Sequence, residues 1–350
     1  MEVLDEVQRG VAMERRRFLV LTGVPLTALL HSWLTAEPDI AHAVTGEGRR
    51  VNASMVDRTD VRIADLRRDD DAHGGGDLVL EAQGLLALVT RLLREARYTE
   101  AVGRRLYGQA ADLSRMCGWM MFDSGRHAAA QRYFAAGLRA AHSSRDVLLG
   151  ANVLAFASIQ QYSVGQPRDA EAMVRTAQTA VRGRSTPTVD AMLAARQARA
   201  LAKAGDATGC FRALSRADDL VDQGPSEDDP SWAYWVTRPD IDVLAGSCLL
   251  DLGRPADAQQ RFAAAHATYE PGYVRTHAMY LSRMATAHLQ QGELDAACDF
   301  ATESLTLLAD LNSARSTDQL RDFAKQLAPY RDNPAASDFL DRARTLTAPA

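Results

Sequence analysis

Residues 114–138 have the sequence SRMCGWMMFDSGRHAAAQRYFAAGL, in which small residues flank a turn glycine at the spacing of a tight helical hairpin. Gly118 lies in the predicted first helix, Gly125 in the turn, and Ala130 and Phe134 in the second helix. Two helices approach closely only where one residue at the crossing is small and a larger neighbour fills the gap beside it. The stretch therefore predicts a hairpin with an aromatic ring packed at the crossing.

The same pattern recurs along the chain. A glycine is followed five residues later by a small residue in five places, namely Gly125 and Ala130, Gly165 and Ala170, Gly205 and Cys210, Gly253 and Ala258, and Gly292 and Ala297. Successive glycines are 40, 40, 48 and 39 residues apart. A period of this size indicates helical hairpins stacked on one another. We predict an all-α protein, an α-solenoid of about five helical hairpins.

The small-residue and A-x3-F spacings resemble the tetratricopeptide repeat, although the period exceeds the usual ~34 residues and the opening W-x2-L is degenerate. Three consecutive glycines mark a loop that divides the chain. Residues 1–77 are predicted to form an N-terminal extension with an apolar helix and this glycine-rich linker, and residues 78–350 the repeat domain. Residues 78–96 and 99–113 would form an opening helix pair, and two C-terminal helices would cap the array with a polar outer face.

The first helices of tetratricopeptide-like units line a concave groove. Their inward-facing side chains are predicted to be Arg115, Trp119, Phe122, Asn152, Phe156, Tyr162, Arg196, Arg199, Lys203, Met279 and Arg283. This set is cationic and aromatic on a chain of net charge −5. It suits the carboxylate of a peptide C-terminus or another acidic group. The alternative is that Arg196, Arg199 and Lys203 form the solvated stripe of an ordinary helix.

The longest interruption of the helical pattern runs from Gly224 to Pro239 and contains Trp232 and Trp235. We expect this loop to pack back on the array as a lid or side wall, and a ligand-stacking role for its tryptophans is the alternative. Each unit of a solenoid contacts only its neighbours. Occupancy of the groove would therefore be relayed by a change in superhelical pitch.

Several segments in order resemble a group of actinobacterial transcriptional regulators, in which a helix-turn-helix DNA-binding domain precedes a tetratricopeptide-like sensor. They are ARYTEAVGRRL, GWMMFDSGRHAAAQRYFAAGL, DVLLGANVLAFASIQQ, ARALAKAGD, DPSWAYW, GELDAAC and LNSARSTDQLRDF. The resemblance covers residues 58–345 and implies a regulatory module that senses a peptide, small molecule or partner protein.

About a dozen residues precede the junction ERRRFLVLTG, too few for a helix-turn-helix. We therefore predict no direct nucleic-acid binding by this chain, in line with its negative net charge.

The segment Arg15-Arg16-Arg17-Phe18-Leu19 is compatible with two cellular locations of the protein. It fits the core of a twin-arginine export signal, with Ala41-His42-Ala43 as a cleavage candidate. However, Pro25 and His31 interrupt the apolar stretch that follows, and the same junction lies internally in the regulators that it resembles. We predict a cytoplasmic protein whose apolar helix docks on the array rather than entering a membrane, with export as the alternative.

Motifs of nucleotide-binding, metalloprotease, serine-hydrolase and dinucleotide-binding sites are absent from the sequence. The eight histidines are scattered, and the four cysteines lack CxxC spacing. This pattern predicts neither a metal site nor a disulfide framework. We therefore expect a non-enzymatic module without a cofactor, whose partner is a protein, a peptide or a small-molecule effector.

Overall fold

The structure is a computed structural model that describes residues 22–35, 50–76, 78–268, 273–309, 311 and 313–347. These residues form fifteen α-helices and two short 3₁₀ helices, with no β-strand among them. The predicted all-α class is confirmed. Within the same ranges, the helices are too short or too polar to cross a lipid bilayer.

The helices follow one another along the chain with short connections. In order they are α1 Val24–Thr35, α2 Ala53–His73, α3 Leu78–Glu95, α4 Glu100–Asp123, α5 His127–Ser144, α6 Val147–Ser163, α7 Pro167–Ala180, α8 Pro187–Lys203, α9 Ala207–Val221, α10 Arg238–Asp251, α11 Pro255–Ala267, α12 Val274–Gln290, α13 Leu294–Leu308, α14 Ala314–Leu327 and α15 Pro334–Thr347.

Helices α4 to α13 pack pairwise as consecutive hairpins, α4 with α5, α6 with α7, α8 with α9, α10 with α11, and α12 with α13. The first helices of these pairs also contact one another in order, and α14 continues this inner layer beyond α12. Each second helix packs on its own partner and on the first helix of the next pair. Side chains on the first helices are therefore placed side by side along one surface.

Glycines at two crossings leave room for an aromatic ring from the second helix. A Cβ atom on Gly118 would lie 2.7 Å from the ring of Phe134, and one on Gly246 would lie 2.8 Å from the ring of Phe262. Both phenylalanines are buried. The predicted pairing of a small residue with an aromatic one is confirmed at these crossings.

We predict opposite outcomes for the same substitution at two helical glycines. Gly118→Ala should destabilise the protein by about 1–3 kcal/mol, because the added methyl group overlaps the ring of Phe134. Gly84→Ala should stabilise it by about 0.5–1 kcal/mol, because Gly84 is exposed and has no heavy atom within 4 Å of its Cβ position. Chemical denaturation measures both changes. Equal stability of the two variants would contradict the tight crossing.

The predicted opening helix pair is wrong in its second member. Residues 99–113 continue without a break into the first repeat unit as α4, a helix of 24 residues. The Thr99 side chain accepts a hydrogen bond from Val102 N and caps the start. The next residue with positive φ is Gly125, at 74°. Without an earlier left-handed residue the helix runs on to Asp123.

The described part of the N-terminal extension packs against the array. Helix α1 lies against α5 and α7, where it buries Leu26, Leu30 and Trp33. The Trp33 indole occupies the space beside Gly150, where any Cβ atom would overlap it. The docking of an apolar helix is thus confirmed for residues 24–35. The arginine motif at residues 15–19 and the cleavage candidate at 41–43 lie outside the described residues.

Candidate functional site

A cavity of about 230 Å³ lies between the inner helices. Its walls come from α2, α4, α6, α8, α10, α12 and α14, and from the segment that follows α9. A volume of this size holds several water molecules. It suits a small molecule or a single inserted side chain rather than the surface of a folded partner.

Nine of the eleven predicted groove residues line this cavity. They are Arg115, Trp119, Asn152, Phe156, Tyr162, Arg196, Arg199, Met279 and Arg283. They come together because each projects from the inner face of a first helix, and those helices are neighbours in the array. The sequence register thus identified lining positions on α4, α6, α8 and α12, and none on α10.

Phe122 and Lys203 do not line the cavity, contrary to the predicted set. Phe122 is buried behind the wall, where its ring packs on Trp119 and on the imidazole of His127. Lys203 ends α8, and its partly exposed ammonium group lies 3.0 Å from Asp251 Oδ1. Phe122 and Lys203 each lie about one helical turn beyond the last residue of their helix that lines the cavity, which is Trp119 on α4 and Arg199 on α8.

The segment between α9 and α10 packs back on the array, as predicted. Trp232 and Val236 are buried, and both Trp232 and Trp235 line the cavity. The hydroxyl of Tyr234 donates a hydrogen bond to Asp71 on α2. This segment is therefore a side wall that is tied to a helix 163 residues away in the chain.

Aromatic rings and guanidinium groups alternate along the wall. The Phe156 ring lies edge-on to Trp119, at 5.2 Å between centroids, and to Trp235, at 6.3 Å. Arg115 stacks over Phe156 at 4.6 Å, and Arg196 lies over Trp235 at 5.3 Å. Cation–π contacts of this kind strengthen when water is excluded. The wall can therefore hold both a flat ring and an acidic group.

Arg199 is the buried centre of an ionic cluster. Its Nη1 lies 2.6 Å from Asp251 Oδ2, and only 2 % of the residue is exposed. Burial raises the pKa of Asp251, but Arg199, Arg283 and Lys203 outweigh it and hold that pKa at about 2. The solvated-stripe interpretation is wrong for Arg196 and Arg199, and it applies in part to Lys203.

Arg196 has a different environment. The residue is 8 % exposed, and among the described residues its guanidinium forms no salt bridge or hydrogen bond. Burial and the neighbouring cations Arg315 and Arg199 lower its pKa. The half-buried Asp240 interacts with it at longer range, and burial raises the pKa of that carboxyl to about 6. Arg196 is thus a buried cation without a paired anion.

The ends of the array meet across the cavity. Arg275 on α12 lies 2.9 Å from Asp70 and 3.5 Å from Asp71, both on α2. Arg315 on α14 lies 3.0 Å from Asp123 at the end of α4. The expectation that each unit contacts only its neighbours is therefore wrong. Three ionic contacts link the two ends of the inner surface around the cavity, which we call the chamber.

Several lining residues were missed by sequence reasoning. They are Arg67, Asp70, Asp71, Tyr234, Asp240, Tyr273, Arg275, Tyr280, Arg315 and Gln319. The α2 residues lie in a stretch of mixed arginine and aspartate that looks solvated, and Arg315 lies in a helix interpreted only as a cap. The spacing of apolar residues could have revealed the position of Asp70. Ile63 and Leu66 mark the buried side of α2, and Asp70 follows them on that side.

The chamber is more positive than the protein as a whole. Among the described residues, seven arginines and three aspartates line it. The residues described also hold no cluster of three or more histidine, cysteine or carboxylate side chains that is suited to a metal ion. The arrangement is suited to binding an anion by hydrogen bonds and charge.

Comparison with protein-family profiles and with curated proteins finds no match to this sequence. The resemblance to actinobacterial regulators therefore stays a prediction. The geometry of the chamber is the basis on which a function can be assigned.

Proposed function

We propose that this chain is a regulatory ligand-binding module of the tetratricopeptide type, in which occupancy of the central chamber is the signal. The observation that carries this proposal is the shared wall, to which the first helices of all five hairpins contribute. Clefts with aromatic walls and a few convergent polar groups are the usual form of small-molecule sites. A cleft of this size between the inner helices favours a small effector over a folded partner.

The chamber also offers a route for transmitting occupancy. A ligand would contact α8 and α12 at the same time as α2 and α14, which are far apart in the chain. Binding would stabilise the closed arrangement that the contacts of Arg275 and Arg315 already favour. The relay would then act on closure of the array rather than on its pitch.

The wider setting follows from the sequence. The resemblance to regulator sensor regions supports a role in transcriptional regulation through a partner, without direct DNA contact by this chain. All four cysteines are free and buried, which suits a reducing cytoplasm. In this proposal the module is not an enzyme.

Titration calorimetry and thermal unfolding with three ligand panels test the proposal. The panels are small organic acids with their amides, neutral and cationic small molecules, and short peptides with free or amidated C-termini. At least one panel should contain a ligand that stabilises the protein, by about 2.7 kcal/mol at one hundred times its Kd. Thr276→Trp, which fills the chamber from α12, should abolish this effect.

Thr286→Trp is the matched control, because Thr286 lies on the same helix but does not line the chamber. It should bind every ligand as the wild type does. The proposal fails if no panel contains a ligand, or if Thr276→Trp leaves binding unchanged.

A further inference from the structure

The positive charge of the chamber exceeds what its carboxylates neutralise. Behind the wall, Asp112 forms salt bridges with both Arg67 and Arg115, at 2.6 and 3.1 Å. Asp251 likewise forms salt bridges with Arg199 at 2.6 Å and Arg283 at 3.9 Å, and also with Lys203. One carboxylate shared by two or more guanidinium groups leaves net positive charge at the wall.

Arg196 is the position where this excess is concentrated. Its Nε is buried without an acceptor, and Trp235 covers one face of the group at 5.3 Å. Taking an unpaired guanidinium out of water is costly in free energy. The arrangement is understandable if an anion completes it, because a planar fork of donors matches an acid group.

Neighbouring arginines add to the positive electrostatic potential around Arg196. Burial and the nearby Arg199 and Arg315 lower the pKa of Arg283 to about 10. The pKa of Arg196 is lowered by burial and by the same two neighbours. These arginines therefore lie close enough to repel one another, and a bound anion would relieve that repulsion.

An aromatic wall lies directly beside this charge. Phe156 and Trp235 meet edge-to-face next to Arg196, and Trp119 continues the surface. The amide of Asn152, on the same wall, has its Oδ1 buried without a donor. A planar ligand can lie against the face of one of these rings and meet the next ring edge-on, which are the geometries that aromatic pairs prefer.

We propose that the chamber binds a small organic acid with a flat aromatic or unsaturated body, whose acid group pairs with Arg196 and whose ring packs on Phe156 and Trp235. The inference rests on the proposed function and specifies the ligand class. A cationic ligand would be repelled by Arg196, the lining arginine that forms no salt bridge among the described residues, and a neutral ligand would leave Arg196 unpaired. The volume of about 230 Å³ accommodates a free small acid.

Calorimetric titration with matched probes tests the class. The probes are benzoate and 2-naphthoate, their uncharged amides benzamide and 2-naphthamide, and the aliphatic acid hexanoate. We expect at least one aromatic acid to bind about 10- to 100-fold more tightly than its amide, the usual effect of a charge-assisted hydrogen bond. The same acid should bind at least about 10-fold more tightly than hexanoate.

Arg196→Met identifies the group that holds the acid. The variant should bind the aromatic acid about 10- to 100-fold more weakly and bind the amide as the wild type does. It should fold, because removing an unpaired cation strands no carboxylate, and circular dichroism with a melting curve checks this. Arg196→Lys, which keeps the charge, should recover part of the affinity. Arg175→Met, at an exposed arginine, is the control and should bind normally.

Each other outcome overturns a defined part of the inference. Equal binding of acid and amide, or normal acid binding by folded Arg196→Met, would show that the acid group is not recognised by Arg196. Equal binding of hexanoate would refute the aromatic requirement. If only neutral compounds or peptides bind, the ligand class is wrong while the proposed function stands. If nothing in any panel binds, both fail.

Discussion

Asp251→Asn should lower the free energy of unfolding by about 3–5 kcal/mol, because it strands buried cations. The carboxylate lies 2.6 Å from Arg199, 3.0 Å from Lys203 and 3.9 Å from Arg283. Its side chain is 16 % exposed and that of Arg199 is 3 % exposed, so water cannot replace the lost charge. Chemical denaturation of both proteins at neutral pH measures the difference.

The difference should also depend on pH in a defined direction. The folded-state pKa of Asp251, at about 2, lies below the value of about 3.9 in unfolded chains. A lowered pKa contributes stability that is present above the unfolded value and is lost as the pH falls through the folded value. The shift corresponds to about 2–3 kcal/mol. The gap between wild type and Asp251→Asn should therefore narrow between about pH 4 and pH 2.

Two further variants isolate the cause. Asp257→Asn removes an exposed aspartate that pairs with Arg254, and its effect should stay within about 0.5 kcal/mol. Adding Arg199→Met to Asp251→Asn should recover part of the lost stability, because it removes the cation that the first change stranded. A loss below about 1 kcal/mol for Asp251→Asn would show that the cluster is solvated.

The hairpins and the inner faces of their first helices were predictable because both depend on local spacing. A positive-φ glycine such as Gly125 ends each first helix, and a small residue such as Gly118 marks each crossing. Trp119, Arg196 and Arg283 are each one or two positions from the small residue of their helix, so they lie on a neighbouring face of the helix rather than at the crossing. This is why the chamber residues on α4, α6, α8 and α12 were found.

The closure of the array was not predictable in the same way. The partners Asp70 and Arg275 are 205 residues apart, and no periodic pattern links them. Charged residues in mixed order usually mark a solvated helix, so α2 was assigned to an extension. The burial of Arg196 and Arg199 was missed for the same reason, because Asp251, which makes the burial of Arg199 tolerable, belongs to the next hairpin.

Arg275→Met should release the end of α2 from the chamber wall. The guanidinium is buried, pairs with Asp70 and Asp71, and lies over the Trp119 ring at 5.3 Å. Removing one partner of a buried ion pair costs about 3–5 kcal/mol, because the remaining charge stays uncompensated. That charge would gain fuller hydration if the last turns of α2 moved away from α12.

Amide hydrogen exchange should locate this release. Val56 and Ile63 anchor the first part of α2 in the core, so residues 53–63 should keep most of their protection. Residues 66–73 should exchange at least about a hundred-fold faster, since each tenfold change corresponds to 1.4 kcal/mol. Arg62→Met, also on α2, removes an exposed ion pair with Glu81 of α3 and should leave exchange unchanged.

The pattern of amide exchange shows whether Arg275 holds the end of α2 against the chamber or stabilises the whole protein. If protection falls equally in α2 and in α9, Arg275 supports the whole fold and α2 is not a separable wall. If it stays unchanged, the ion pair is not needed to close the chamber. Loss confined to the end of α2 would mean that one buried contact holds the chamber shut, so a ligand bound against the same wall would restore protection at residues 66–73 while leaving α9 unaffected.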